Sequence, residues 1–229
     1  LYFCGMKAYF ISGLGADRRA FQNLTLPERL EVVHLDWIPP YPRESLASYA
    51  QRLAARIQPH EPFILVGLSL GGMIAAEIAS LLSPLRTLLI SSIPSSLQLP
   101  RIYRILGAAG LHRYLPIRVM KSGMFIKRLF MNETLQNRQL ILKMVNEADP
   151  HFIRWALQAV LGWKRVQIPE GIIQIHGDKD ELFPIRLISS PKVVTGGRHL
   201  MVLNQPREVS QLLKEALQPV MKVSRDERQ

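Results

Sequence analysis

The chain is expected to adopt an α/β fold, with a mostly parallel sheet of about six strands, helices on both faces and a helical insertion. Two observations predict this. Apolar strand-like runs alternate with helix-period segments at the spacing of βαβ units, both over residues 7–93 and again over 171–217. Between these blocks, residues 95–167 carry helical periodicity broken by Gly107, Gly110, Pro116 and Gly123, with no convincing strand.

Residues 7–12 (KAYFIS) read as a first strand closed by the turn Gly13-Leu14-Gly15. Asp17 is placed to start a short helix carrying Phe21 and Leu24. Residues 31–37 (EVVHLDW) read as a second strand, stopped by the proline-rich loop 38–42. Ser45 offers a cap for a helix with apolar positions Leu46, Tyr49, Leu53 and Ile57, ending before Pro59.

Residues 63–79 (FILVGLSLGGMIAAEIA) are the stretch on which the chain turns. Phe63, Ile64, Leu65 and Val66 form a wholly apolar run, as expected of a strand buried on both faces. After Met73 the spacing becomes helical, through Ile74, Ile78, Leu81 and Leu82. Ser69 therefore stands where a strand gives way to a helix, among Gly67, Gly71 and Gly72, which allow a strained backbone and close approach. Gly67-Leu68-Ser69-Leu70-Gly71 fits the G-x-S-x-G nucleophile elbow, a sharp turn that holds a serine hydroxyl clear of its own backbone.

A fourth strand is expected over 85–93, and further strands over 171–176 (GIIQIH) and 191–195 (PKVVT). A last helix begins around Asn204 and Pro206, with the stripe Val209, Leu212, Leu213, Ala216 and Leu217. The inserted segment has apolar groups at Ile102, Ile105 and Leu106, at Met124, Phe125, Ile126, Leu129 and Phe130, and at Phe152, Trp155 and Leu157. These suggest several helices, each with a face to bury. The expected organisation is a core of residues 6–94 and 168–220, a helical cap at 95–167 and a charged, loose tail at 221–229. Residues 1–5 look like the remnant of a cleavable tag, so that the natural chain would begin at Met6.

With 48% apolar residues in 229, the chain has material for a sizeable core as one domain with an insertion. No run reaches the 18 or more apolar residues of a membrane span, and the expectation is a soluble protein. Cys4 is the one cysteine, which excludes a disulfide within the chain and suits a reducing cytoplasm. The net charge is +11, and residues 95–166 hold twelve Lys or Arg against Glu133, Glu147 and Asp149, an excess of nine. No zinc-ligand spacing, RNA-binding aromatic signature or tandem basic run accompanies the charge, so no nucleic-acid partner is expected. A solvated basic face is the plain reading; attraction of anionic substrates or of an acidic membrane surface is the other. The number of subunits is not legible.

A serine hydroxyl needs a base to take its proton and an acid to hold that base in the right tautomer. In this kind of sheet the chain order is Ser, then Asp or Glu, then His. Of the six histidines only His176 and His199 follow the insertion. His176 ends a strand and looks too tied to it to reach across. His199 sits in the glycine-loosened loop Thr195-Gly196-Gly197-Arg198-His199, where an imidazole can swing over the sheet edge. The acid belongs in the turn after His176, which offers Asp178, Asp180 and Glu181. Physics alone does not separate Asp178 from Asp180.

The elbow, the segment His176-Gly177-Asp178-Lys179-Asp180-Glu181-Leu182-Phe183-Pro184 and the segment Gly196-Gly197-Arg198-His199 together resemble the α/β-hydrolase fold family. The resemblance runs from Lys7 to Leu217, apart from the insertion. It implies that Asp180, fourth in a G-x-x-D turn closed by proline, is the acid, and that Asp178 shapes the turn. It also implies an oxyanion hole from the backbone N–H groups of Leu70 and Leu14. The family often has His-Gly after the first strand where this chain has Ser12-Gly13, so the support of that loop differs.

The implied function is hydrolysis of a small-molecule carboxylic ester or related acyl compound by Ser69, His199 and Asp180, with no metal or organic cofactor required. A serine at the elbow argues against haloalkane dehalogenation, where the family places an aspartate. Acyl transfer, C–C bond hydrolysis, cofactor-free peroxide chemistry and small-molecule binding with little turnover are the alternatives this fold also supports.

Overall fold

In the computed structural model, which describes residues 6–108 and 134–226, six strands form one sheet in the order β2-β1-β3-β4-β5-β6. These are β1 (Met6–Ile11), β2 (Leu30–His34), β3 (Phe63–Leu68), β4 (Arg86–Ile90), β5 (Ile172–Gly177) and β6 (Lys192–Val194). Every neighbouring pair is parallel. The α/β expectation holds, and the sheet is wholly rather than mostly parallel.

Side chains alternate across the sheet and build two cores, one on each face. Tyr9, Ile11, Leu65 and Leu89 face one core; Ala8, Phe10, Ile64, Val66, Leu88, Ile90 and Ile175 face the other. The first is closed by α1 (Leu46–Ala54) and α2 (Leu70–Leu82), the second by a short 3₁₀ turn (Arg18–Phe21) and the C-terminal helices. Because a strand buried on both faces cannot show polar alternation, β3 reads in sequence as a continuous apolar run.

Local chemistry sets the helix starts. Asp17 accepts a hydrogen bond from Arg19 N and Ser45 accepts one from Ser48 N, each satisfying a donor that the first turn leaves open. Three strands are shorter than expected, β6 at Lys192–Val194 among them. β2 ends at His34 because its only neighbour, β1, stops at Ile11; Leu35 still donates to the Phe10 carbonyl at 2.9 Å, and the chain then departs. β4 ends at Ile90, where Ser91 turns the backbone to φ +47°.

The chain at residues 95–96 is tied to the chain at residues 165–166. Ser96 N donates to the Arg165 carbonyl at 2.8 Å, and Ser95 Oγ donates to the carbonyls of Arg165 and Val166. Among the described residues the segment between them contains α3 (Arg101–Ala108), α4 (Leu135–Glu147) and α5 (Pro150–Leu161). Ile141 and Met144 of α4 are buried in one core, and Phe152, Trp155, Ala156 and Ala159 of α5 in the other. Trp155 stacks near Tyr49 of α1 with ring centroids 4.2 Å apart, and its indole N–H donates to the Glu44 carbonyl at 2.8 Å. Trp163 donates at 2.6 Å to Glu77, a buried carboxylate on α2 that also accepts from Arg165.

The apolar groups expected at Met124, Phe125, Ile126, Leu129 and Phe130 lie outside the described residues, as do residues 1–5 with the expected tag remnant. The chain finishes with α6 (Met201–Asn204) and α7 (Pro206–Asp226). A loose tail was expected from residue 221, but α7 continues through Pro219 to Asp226.

Candidate active site

The strand order reverses direction between β1 and β3: from β1 the chain moves outward to β2, and from β3 it moves the other way through β4 to β6. Loops leaving the carboxyl ends of β1 and β3 therefore diverge to opposite faces and open a crevice, the usual ligand position in such sheets. Ser69 stands there, between Leu68, the last residue of β3, and Leu70, the first of α2. Its backbone is at φ 51°, ψ −116°, a region that a non-glycine residue occupies only when its surroundings enforce it.

Several contacts do so. Ser69 N donates to the Ile90 carbonyl at 3.0 Å, and Ser92 Oγ donates to the Ser69 carbonyl. Ser92 is itself held by Gln174, a buried strand residue whose amide donates to the Ser92 carbonyl at 3.0 Å and to Gln98 Oε1 at 3.1 Å. Gly71 allows the turn to press against β1: a Cβ there would lie 2.2 Å from the carbonyl oxygens of both Ile11 and Ser12. This contact brings the loop after β1 against the elbow, with Gly13 packed on the Ser69 side chain.

The side chain of His199 comes from the loop after β6. Its Nε2 lies 2.9 Å from Ser69 Oγ, and its Nδ1 lies 2.9 Å from Asp180 Oδ2. An ionised carboxylate only accepts, so Nδ1 carries the proton and Nε2 is free to accept from the serine hydroxyl. His199 is 6% exposed and Asp180 4%. Asp180 Oδ1 accepts from the backbone N–H groups of Leu182 at 2.9 Å and Phe183 at 3.0 Å. Burial alone would push this carboxyl up. The His199 ring, the hydrogen bonds from His176 and His199 and the Phe183 N–H outweigh it and hold the group well below the usual carboxylate range.

Asp178, which the sequence left as the other candidate, points elsewhere. Its Oδ1 accepts from Gly196 N at 2.7 Å and ties the β5 turn to the β6 loop. Glu181 pairs with Arg198 at 2.8 Å on the exposed side of the same two loops. Leu70 opens α2 directly after Ser69, and Leu14 follows Gly13 in the loop packed on Ser69, so both oxyanion candidates belong to segments that adjoin Ser69. Among the described residues no three or more His, Cys, Asp or Glu side chains gather so as to hold a metal ion. No described helix is long and apolar enough to cross a membrane.

Sequence reasoning missed three groups. His176 was set aside as tied to its strand; the structure puts its Nε2 3.3 Å from Asp180 Oδ2. Ser92 and Gln174 form the polar support behind the elbow, and a glutamine within the otherwise apolar run GIIQIH was the available signal.

Residues 8–212 match the model of the alpha/beta hydrolase family. The chain belongs to the alpha/beta hydrolase family. Solved structures of similar fold include MenH from S. aureus (16% identity, TM-score 0.70, covering 93% of this chain and 94% of that one). A hydrolase from Pseudomonas aeruginosa PA01 matches at 17% identity and TM-score 0.69, over 93% of this chain and 90% of its own. A thermophilic esterase from Thermogutta terrifontis matches at 18% identity and TM-score 0.64, over 94% and 90%. Comparison with curated proteins yields no match. At these identities the likeness is one of fold, and family membership leaves the chemistry to be argued from the site.

Proposed function

We propose that this hydrolase-family protein is a serine hydrolase that cleaves a carboxylic ester or a related acyl compound through an acyl-enzyme intermediate. The observation that carries the proposal is the unbroken hydrogen-bond chain from Ser69 Oγ through His199 to Asp180, 2.9 Å at each link. In the first half-reaction Ser69 Oγ attacks the carbonyl carbon while His199 Nε2 takes its proton. The resulting imidazolium faces the ionised Asp180, which keeps the ring oriented and stabilises its charge. The tetrahedral oxyanion lies against the N–H groups of Leu70 and Leu14, with the positive end of α2 behind Leu70.

Collapse expels the alcohol, which receives the proton held on His199, and leaves the acyl group on Ser69. In the second half-reaction His199 takes a proton from water; the hydroxide attacks the acyl carbon, and the returning proton releases Ser69 and the free acid. Bonds and protons balance as ester plus water giving acid plus alcohol. The described helices α3 to α5 serve as a cap over this edge of the sheet. From Met6 onward the chain carries no cysteine, which suits a reducing compartment, and we place the protein in the cytoplasm.

The test is a panel of p-nitrophenyl esters graded by acyl length, run beside matched thioesters and anilides. Turnover of esters that depends on acyl length and disappears in Ser69→Ala supports the proposal. Turnover that survives in Ser69→Ala contradicts it.

A further inference from the structure

His176 stands outside the chain from Ser69 to Asp180, yet its ring lies against the acid. It is fully buried, at 0% exposure, near the end of β5. Its Nε2 is 2.7 Å from the Phe183 carbonyl oxygen and 3.3 Å from Asp180 Oδ2. A carbonyl oxygen only accepts, so the proton is on Nε2. Nδ1 is buried with no hydrogen-bond partner among the described residues, and a second proton there would be a donor with nothing to receive it. The ring therefore presents one N–H, directed chiefly at Phe183 O and secondarily at Asp180 Oδ2.

The remaining contacts show what that N–H holds. Asp180 Oδ1 is fixed by two backbone donors, so the carboxylate can pivot only by moving Oδ2, the atom that meets His199. Phe183 touches all three groups. Its N–H donates to Asp180 Oδ1, its carbonyl accepts from His176, and its ring packs edge-on against His199 with centroids 5.5 Å apart. When His199 swings off Asp180, Oδ2 would be a buried anionic oxygen without a donor unless another were in reach; the His176 N–H is the one beside it.

We infer that His176 is a positioning residue for the proposed reaction: its shared N–H locks the Phe183 turn and keeps Asp180 Oδ2 aimed at His199 Nδ1. This rests on the reading of Asp180 as the group that orients His199. His176 acts through Asp180 and touches neither Ser69 nor substrate, so its removal should matter only while Asp180 is a carboxylate.

The experiment measures the second-order rate of labelling by a fluorophosphonate probe, with thermal melts to confirm folding, in wild type and Asp180→Asn backgrounds. His176→Leu is expected to slow labelling about tenfold to a hundredfold in the wild-type background and by less than twofold beside Asp180→Asn. His176→Gln puts an amide N–H near the place of Nε2 and should recover most of the rate. His176→Asn, whose amide falls near Nδ1 instead, should not. The Gln and Asn pair keeps the test decisive if the Leu variant fails to fold.

Equal slowing in both backgrounds, no slowing in either, or Asn performing as well as Gln overturns the role of His176 and leaves that of Asp180 standing. Asp180→Asn labelling at the wild-type rate would instead overturn the reading of Asp180 and this inference with it.

Discussion

Gly177→Ala should separate Asp180 from His199 without touching either. Gly177 closes β5 and faces Gly197 of the β6 loop so closely that a Cβ would lie 2.1 Å from the Gly197 oxygen and 2.4 Å from its carbonyl carbon. Close carbon–oxygen contacts in proteins lie at about 3.3–3.6 Å, so the two segments must part by roughly 1 Å. Both contacted atoms are backbone, and the loop is also tied by Lys179 N donating to Gly197 O at 2.9 Å, so no flexible side chain can absorb the shift.

Asp180 lies three residues after Gly177 and His199 two after Gly197. Moving these segments apart stretches their 2.9 Å hydrogen bond beyond useful range. A misplacement of about 1 Å at a reacting group costs on the order of 10²-fold in rate. Overpacking of this kind destabilises by about 1–3 kcal/mol, or roughly 2–12 °C in Tm for a chain of this size.

Gly196→Ala is the control. Its Cβ meets nothing within 4 Å, but φ is +70°, so it should cost about 1–2 kcal/mol of backbone strain and leave the site in place. Fluorophosphonate labelling rates beside thermal melts separate the two effects. Labelling of Gly177→Ala within threefold of wild type, or equal slowing in Gly196→Ala, would refute the reasoning.

Two further outcomes follow from buried groups. The Tyr49 hydroxyl donates to the Ile38 carbonyl at 2.9 Å and accepts from Ile38 N at 2.8 Å, and burial pushes the phenol up to about 12. Tyr49→Phe strands both backbone groups and should lower stability by about 1–3 kcal/mol in a urea titration; a loss under about 0.5 kcal/mol would show the latch to be unimportant. Asp180 has a folded-state pKa below its unfolded value, so its ionised form adds stability that is complete above the unfolded carboxylate range and lost as pH falls through and below it. Between pH ~5 and ~3 the wild type should therefore lose more stability than Asp180→Asn; parallel losses would contradict the favourable setting of that carboxylate.

The inner strands β1, β3 and β4 were legible because they are largely buried on both faces and carry apolar stretches that no helix period explains. The elbow was legible because strand, glycine turn and helix succeed one another within residues 63–79. His199 followed from chain order and a glycine-rich loop. What separates Asp180 from Asp178 is invisible to composition: both are carboxylates in one turn, and only the folded backbone shows that Asp180 turns inward to the Leu182 and Phe183 N–H groups while Asp178 caps Gly196. Strand ends were misjudged for a related reason, since β2 and β4 stop where a neighbour or the φ of Ser91 dictates rather than where β-forming residues run out. His176 is not legible from its own strand, because Asp180 comes back to it only four residues later.

The most direct test of the account is site-resolved mass spectrometry of the protein after reaction with a fluorophosphonate. A single adduct is expected, on Ser69, that disappears in Ser69→Ala and forms on the order of 10³-fold or more slowly in His199→Ala. An adduct on another residue, or His199→Ala labelling within tenfold of wild type, would contradict it.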